Sequence, residues 1–255
     1  MQRKKWTKVL ISIIFLSFIG LNSSITGVAK ESNSTEIDGK WKGIYYATQG
    51  QTSLTLTIKN KQATFSFGPT KKNPSIPKGK YIAAIKYNEK KATFTLDSKN
   101  GKWINRPSDY IFVDFKGVLN KNNQLVGFVD DSSNRFTLSS AITKKTKSKP
   151  ALNGKWKGYY YNASGKKDLM LTFDNSKGKF IFSDNNFNKK SGLYGSYHIK
   201  VSSNTNNFVT IKQKKWIVEP SAYRMIDGVG VVSKKGWFIG QFDNNSSFDF
   251  EVRKK

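Results

Sequence analysis

Apolar and polar residues alternate in short runs along most of the chain. Leu54, Leu56 and Ile58 are separated by threonines, and Phe65 and Phe67 flank a serine. Successive side chains of a β-strand point to opposite faces, so a period of two predicts strands with one buried face. No window of helical length carries an apolar stripe at helical spacing. The pattern therefore predicts an all-β protein.

The alternating pattern occurs twice, because the chain contains an internal repeat. Residues 38–46 (DGKWKGIYY) recur as 153–161 (NGKWKGYYY), and the segment Trp-Ile-x-x-Pro-Ser-x-Tyr at 103–110 returns at 216–223. The offset between matching positions changes only from 115 residues at the start to 113 near the end. Insertions between the copies are therefore small, and the two copies should share one fold.

Each copy predicts one domain, over residues 37–141 and 152–254, with Phe136 and Phe248 as the last aligned aromatic pair. The segment 142–151 between them is lysine-rich, contains a proline and predicts a solvated linker. Seven or eight short runs joined by turns predict a small antiparallel β-barrel or β-sandwich in each copy. In the first copy these runs lie near 40–47, 53–59, 62–68, 79–87, 91–97, 110–118, 124–130 and 134–140.

Both copies place Gly-Lys-Trp at the start of the first strand, at residues 39–41 and 154–156. These residues resemble the start of calycin-type barrels such as the lipocalins and avidin-like proteins. The resemblance covers little beyond these positions. It implies a closed barrel, and no ligand is carried over from it. Trp41 and Trp156 themselves are predicted to fill one end of the core.

The N-terminus has the three parts of a secretory signal peptide. Four basic residues lie within residues 1–8, an apolar run covers 9–21, and Gly27-Val28-Ala29 offers a small-residue cleavage site. We predict a signal peptide over residues 1–29. The alternative is an uncleaved N-terminal anchor, although thirteen residues are short for about 30 Å of hydrocarbon. A lipoprotein is excluded because the chain has no cysteine to acylate.

The charge is strongly positive, with 44 basic and 17 acidic residues and a formal net charge of +27. Residues 1–29 hold four basic residues and no acidic one, so the exported part keeps 40 basic residues and a net charge of +23. Such an excess predicts attraction to polyanions with a steep salt dependence. Nearly all the cations are lysines, which act as hydrated point charges and favour diffuse adhesion over sequence-specific reading of nucleic acid.

The candidate catalytic groups are few. The lack of cysteine excludes thiol chemistry. The single histidine, His198, is predicted to face solvent on a strand. Asp114 and Asp227 are the one acidic pair shared by both copies, and one acid per domain cannot supply both the acid and the base of a hydrolase. We therefore expect no enzyme activity, no cofactor and no metal site.

Aromatic residues flanked by cations are the candidate ligand contacts. Stacking faces bind sugar rings or bases, and neighbouring cations add attraction for anionic groups. A structural alternative is that the tryptophans end one strand in the core and the tyrosines begin the next strand. Adjacent tyrosines on a strand point to opposite faces, so one of each pair should lie outside. The candidate ligand-contacting residues are Trp103, Arg106, Tyr110, Trp216, Tyr223, Tyr46 and Tyr161.

Export, excess lysine and duplication together predict a secreted, monomeric, non-enzymatic binding protein. Its expected partner is an anionic polymer of the cell envelope or extracellular matrix, such as teichoic acid or an acidic glycan, which places it on or outside a Gram-positive cell wall. Two tethered copies would add avidity. The alternatives are a calycin-like carrier of a small ligand, a non-specific nucleic-acid binder, and a protein directed at a host partner. No membrane span is expected once the signal is removed.

Overall fold

The computed structural model describes six stretches of the chain. The predicted signal peptide (1–29) and most of the predicted linker lie outside them, and at 245–248 only the backbone is described. All the described residues belong to one compact unit. The described stretches are 34–129, 134–140, 148–189, 192–204, 207–243 and 245–255.

Sixteen strands form two closed antiparallel barrels of eight strands each. Barrel 1 consists of β1 (Gly39–Ala47), β2 (Gly50–Lys59), β3 (Gln62–Gly68), β4 (Gly79–Asn88), β5 (Thr93–Asn105), β6 (Phe115–Leu119), β7 (Gln124–Val129) and β8 (Arg135–Ser140). Barrel 2 consists of β9 (Gly154–Asn162), β10 (Gly165–Asp174), β11 (Lys177–Ser183), β12 (Tyr194–Ser203), β13 (Phe208–Val218), β14 (Gly228–Val232), β15 (Trp237–Phe242) and β16 (Asn245–Lys254).

Each barrel is a meander in which every strand pairs with the next and the last pairs with the first. Closure gives every strand a partner on both sides, which reduces the template for edge-to-edge association. The ends of β5 beyond Leu96 and of β13 beyond Ile211 extend past their neighbours β6 and β14. The all-β prediction is confirmed, as are two tandem copies with eight strands each. Of the two architectures considered, the structure shows the barrel.

The core of each barrel is built from the inward residues of the alternating pattern, and it is rich in aromatic rings. In barrel 1, Phe65 stacks on Tyr81 and meets Phe115 edge-on, with ring centroids 4.6 and 5.2 Å apart. Such geometries add about 0.5–1.5 kcal/mol per pair beyond the burial of area. Phe180 stacks on Tyr197 in the same way in barrel 2, at 4.6 Å.

The two opening tryptophans fill one end of their barrels, as predicted. Trp41 and Trp156 are buried, and their indole N–H groups donate to the carbonyl oxygens of Ile37 and Leu152 at 2.8 and 2.7 Å. Burial of a large ring is favourable only if its one polar atom finds a partner, and both do.

The strand prediction is wrong in one region of each copy. β5 continues to Asn105 and β6 begins only at Phe115, so Tyr110 lies in the connecting loop and does not begin a strand. The physical reason is an irregularity in the β4–β5 pairing, where the register shifts between Ile82 and Ala84. The register shift places extra residues in β5 and so lengthens that strand. The next paired strand, β6, therefore begins later in the sequence than predicted.

The last aligned aromatic pair also needs correction. Phe136 lies opposite Gly127, and the matching glycine of barrel 2, Gly240, lies opposite Phe250. Phe136 therefore corresponds to Phe250 and not to Phe248. The two copies differ here because the β15–β16 pairing shifts its register after Gln241.

The two barrels pack against each other, which the sequence analysis did not predict. β7 is buried at every position, because its inward face lines barrel 1 and its outward face lies on barrel 2. The barrels use matching faces, since the cross-strand pair Val118–Val126 corresponds to Val231–Ile239. The inter-barrel interface is an apolar cluster of Val118, Val126, Phe128, Phe208, Val229, Val231 and Ile239.

Polar contacts surround this apolar cluster. Lys91 forms an ion pair with Glu251 and places its ammonium 4.6 Å from the centroid of the Trp237 ring. Lys116 pairs with Asp249, and the Lys234 backbone N–H donates to the Leu119 carbonyl at 2.9 Å. A buried apolar centre with a charged rim is the usual anatomy of a protein interface.

Candidate functional site

The loop β5–β6 lies at the end of barrel 1 opposite Trp41, together with the β1–β2 and β3–β4 loops. We call this end the mouth of barrel 1. Trp103 is half-buried there, stacked on Phe112 at 4.9 Å and edge-on to Tyr81 at 5.1 Å. Arg106 lies 6.0 Å from the Trp103 ring and donates from Nε to the Tyr110 carbonyl at 3.0 Å. Phe112, which the sequence analysis did not single out, completes this cluster.

Tyr110 packs into the mouth of barrel 1. Its ring stacks on Phe67 at 5.2 Å, and Phe67 is a buried core residue. Trp103 and Tyr110 are therefore brought together on the core, in agreement with a structural role for both. The half-exposed edge of Trp103 and the exposed Arg106 remain accessible to a ligand.

Barrel 2 repeats the tryptophan and the tyrosine, but it has Met225 where barrel 1 has Phe112. Trp216 meets Tyr197 edge-on at 5.2 Å, and Tyr223 lies 5.6 Å from Phe182. The position that corresponds to Arg106 is occupied by Glu219. The two mouths consequently carry opposite charges at this point.

A cavity of about 370 Å³ opens at the mouth of barrel 1. Gln49 and Asn134 contribute polar atoms to it, and Ile111, which is 74% exposed, borders it. At the inward position where barrel 1 has Thr52, barrel 2 has the buried Lys167, whose Nζ pairs with Asp184 at 2.6 Å. The aromatic lining of the cavity consists of Tyr45, Phe65, Phe67, Tyr81 and Tyr110.

Tyr46 and Tyr161 lie on the outer faces of the barrels, while their neighbours Tyr45 and Tyr160 are buried. This alternation is the one predicted. The Tyr46 hydroxyl accepts a hydrogen bond from Gln51 at 3.1 Å. Neither Tyr46 nor Tyr161 belongs to the Trp103 cluster, so the structure does not gather the seven predicted residues into one site.

The outer face of β11, β12 and β13 carries a group of lysines that sequence reasoning missed. Lys177 lies directly opposite Lys200, and Lys200 lies directly opposite Lys212, so three lysines form a row across three strands. His198 is half-buried beside this row, opposite Lys179. We define the lysine face as Lys177, Lys179, Lys200, Lys212, Lys214 and Lys215, all exposed.

The lysine face belongs to barrel 2 alone. The corresponding row of barrel 1 consists of Gln62, Ala84 and Asp97, which are also opposite one another. Like charges directly opposite on a sheet are destabilising, by up to about 1 kcal/mol per pair. The repulsion in barrel 2 is relieved only in part, since Lys212 pairs with Asp227 at 2.6 Å and Lys177 and Lys200 have no ion-pair partner among the described residues.

The β12–β13 pairing of barrel 2 shifts its register between Tyr197 and Ile199, as the β4–β5 pairing does in barrel 1. The shared acids Asp114 and Asp227 hold these irregularities in place. Asp114 accepts hydrogen bonds from the Ser98 N–H and hydroxyl at 2.7 and 2.6 Å, and Asp227 accepts from the Gln213 N–H at 3.0 Å. Partial burial raises the pKa of Asp227, but the hydrogen bonds from Lys212 and Gln213 outweigh this and hold that pKa below its ordinary value. Each carboxylate thus accepts a backbone hydrogen bond from the long strand of its own barrel, β5 or β13.

Within the described stretches, no group of three or more histidine, aspartate or glutamate side chains could hold a metal ion. The same part of the chain contains no helix long and apolar enough to cross a membrane.

The fold and its surface define a tandem pair of eight-stranded β-barrels with one lysine-rich outer face. The chain matches no protein-family model, no curated protein and no solved structure among those compared with it.

Proposed function

We propose that this is a secreted, non-enzymatic protein that binds an anionic polymer of the cell envelope, with teichoic acid as the best-fitting class. The lysine face carries the proposal, because it concentrates unbalanced positive charge on one exposed sheet surface. The exported part has a net charge of +23, so the rest of the surface adds attraction at longer range.

The spacing of the lysine face suits a flexible chain of phosphodiesters. Neighbouring strands lie about 4.8 Å apart, and alternate residues on one strand are about 6.7 Å apart. The face is therefore a grid of ammonium groups on flexible stems. Such groups adapt to the backbone of a polymer without demanding one conformation, in contrast to the rigid fork of arginine.

Replacing Lys177, Lys179 and Lys200 together with glutamine should weaken binding to purified teichoic-acid-bearing wall about 100-fold, since each lysine near an anionic surface contributes about 1 kcal/mol. The slope of log affinity against log salt should become shallower by about two. A pull-down titrated with salt measures both quantities.

The matched control replaces three exposed lysines on the outer faces of barrel 1, Lys42, Lys59 and Lys80, with glutamine. It removes the same charge, and its affinity should change much less. Equal losses in the two variants would show that only net charge matters. Binding that persists on wall stripped of teichoic acid, or that ignores salt, would refute the proposed partner.

The cavity at the mouth of barrel 1 supports a second candidate function, the carriage of a small ring-containing molecule. About 370 Å³ lies at the lower end of the range of small-molecule sites. Native mass spectrometry should then show a bound mass that is lost in Tyr110→Ala and kept in the barrel 2 counterpart Tyr223→Ala. A native chain with no added mass would argue against carriage.

A further inference from the structure

A second basic site lies where the two barrels meet. A cleft of about 640 Å³ is lined by Arg135 of β8 from barrel 1 and by the β13–β14 region of barrel 2. Its charged lining residues are Arg135, Lys212, Arg224, Asp227 and Asp243. The chain has only five arginines, and two of them line this cleft.

Arg135 differs from the other two cations in the cleft. Lys212 pairs with Asp227 and Arg224 pairs with Asp243, each at 2.6 Å. Arg135 has no carboxylate within ion-pair distance among the described residues, and its guanidinium lies 5.1 Å from the centroid of the Phe208 ring. Burial lowers the pKa of Arg135 from its ordinary value. A partly desolvated cation without a counter-ion is costly unless an anion supplies the missing partner.

The cleft is continuous with the lysine face, because Lys212 belongs to both. A polymer that crosses Lys177 and Lys200 reaches Lys212 and, beyond it, the cleft. The planar guanidinium of Arg135 presents two parallel N–H donors that match the oxygens of a phosphate group. The lysines along the path thus hold the polymer loosely, and Arg135 at its end binds one phosphate group in a defined orientation.

We propose that the inter-barrel cleft captures one phosphate group of the polymer through Arg135, while the preceding phosphodiesters lie on the lysine face. This inference rests on the proposed function and locates its strongest contact. It also assigns the site to the pair of barrels, since Arg135 comes from the first copy and Lys212 and Arg224 from the second.

The matching cleft on the other side of the inter-barrel interface has the opposite character. It measures about 260 Å³, and the position that corresponds to Arg135 is occupied by Asp249. Asp97 and Asp114 also line it, with Lys116 as the one cation. A phosphate group is repelled there, so each molecule should hold one captured phosphate, and neither barrel alone should reproduce the site.

The test uses the exported chain and a synthetic glycerol-phosphate oligomer of defined length, titrated by calorimetry. Arg135→Gln should lower the affinity at least tenfold, and Arg135→Lys, which keeps the charge and loses the fork, should lie between that variant and the native chain. The matched control is Arg253→Gln, an exposed arginine on β16 outside the cleft, which should bind like the native chain. The stoichiometry should be one oligomer per molecule.

Urea unfolding of Arg135→Gln separates ligand capture from packing. If Arg135 serves to bind a ligand, Arg135→Gln should be as stable as the native chain or more stable, because an unpaired, partly buried charge is removed. If Arg135 serves only to pack against Phe208, Arg135→Gln should be less stable than the native chain and bind the oligomer with unchanged affinity. That pair of results would overturn the proposal.

Two further outcomes have distinct meanings. In the first, the native chain binds the oligomer, the lysine-face variant binds it more weakly, and Arg135→Gln binds it as tightly as the native chain. The cleft is then not the capture site, and the proposed function stands. If the native chain does not bind the oligomer, both fail. Equal or tighter binding of a single-stranded oligodeoxynucleotide with the same number of phosphates would overturn the choice of an envelope polymer as partner.

Discussion

Gly127→Ala should destabilise the protein by about 3 kcal/mol or more, because the new methyl group has no room. A Cβ at Gly127 would lie 2.1 Å from the Lys116 carbonyl oxygen and 2.5 Å from the Gly117 Cα. Both obstacles are backbone atoms of the paired strand β6, which cannot move aside like the end of a side chain. Urea unfolding followed by tryptophan fluorescence measures the loss.

A matched glycine lies at the end of β3 in the same barrel. A Cβ at Gly68 meets the Lys78 Cγ first, at 3.3 Å, and this flexible side chain can shift. Gly68→Ala should therefore cost much less than Gly127→Ala. If the two variants unfold at the same urea concentration, the close approach of β6 and β7 does not exist in solution.

Val126→Asp should break the contact between the barrels. Val126 is fully buried within the inter-barrel interface, where a carboxylate would have no cation facing it in the apolar cluster. An uncompensated buried charge costs about 3–5 kcal/mol, and separating the barrels returns the carboxylate to water. We expect a larger radius of gyration in small-angle X-ray scattering, and two unfolding transitions in place of the single transition expected of the native chain.

The control for Val126→Asp is Thr57→Asp, which adds the same charge at an exposed outward position of β2. This variant should keep the native radius and a single transition. Identical scattering from the native chain and from Val126→Asp would contradict the burial of Val126 between packed barrels. In that case the composite cleft at Arg135 would also be lost.

Most of the fold could be predicted from the sequence, because the strands of a closed barrel follow a simple alternation of inward and outward residues. Each inward residue alternates with an outward one, so Tyr45 and Tyr46 could be assigned to opposite faces without any knowledge of their neighbours. The repeat then supplied the number of barrels. The β4–β5 irregularity could not be predicted, because it depends on Asp114 accepting the Ser98 N–H, sixteen residues away.

The inter-barrel contact did leave a signal in the sequence. β7 reads Gln-Leu-Val-Gly-Phe-Val, a run in which alternation fails because both faces are buried. A continuous apolar strand is typical of a sheet covered on both sides. Its counterpart in the second copy, β15, reads Trp-Phe-Ile-Gly-Gln-Phe and is buried at every position after Trp237. The breakdown of the pattern in corresponding strands of both copies was the available clue to their packing.

The candidate site was harder to predict because it depends on register. Lys177, Lys200 and Lys212 lie far apart in sequence and become neighbours only through the pairing of three strands. Arg135 and Phe208 are brought together by the packing of two barrels. Single residues such as Trp103 stood out in the sequence because they are rare, whereas ordinary lysines acquire meaning only from their neighbours across the sheet.

The matching faces through which the barrels pack give the chain the geometry of a twofold homodimer contained within one polypeptide. A dimer of identical subunits must carry two identical clefts. Covalent fusion removes that constraint and makes the pairing independent of protein concentration. One cleft can then hold Arg135 and the other Asp249. The two sides of the molecule therefore differ in charge although the two barrels share one fold. A polymer bound to such a molecule has a defined entry side.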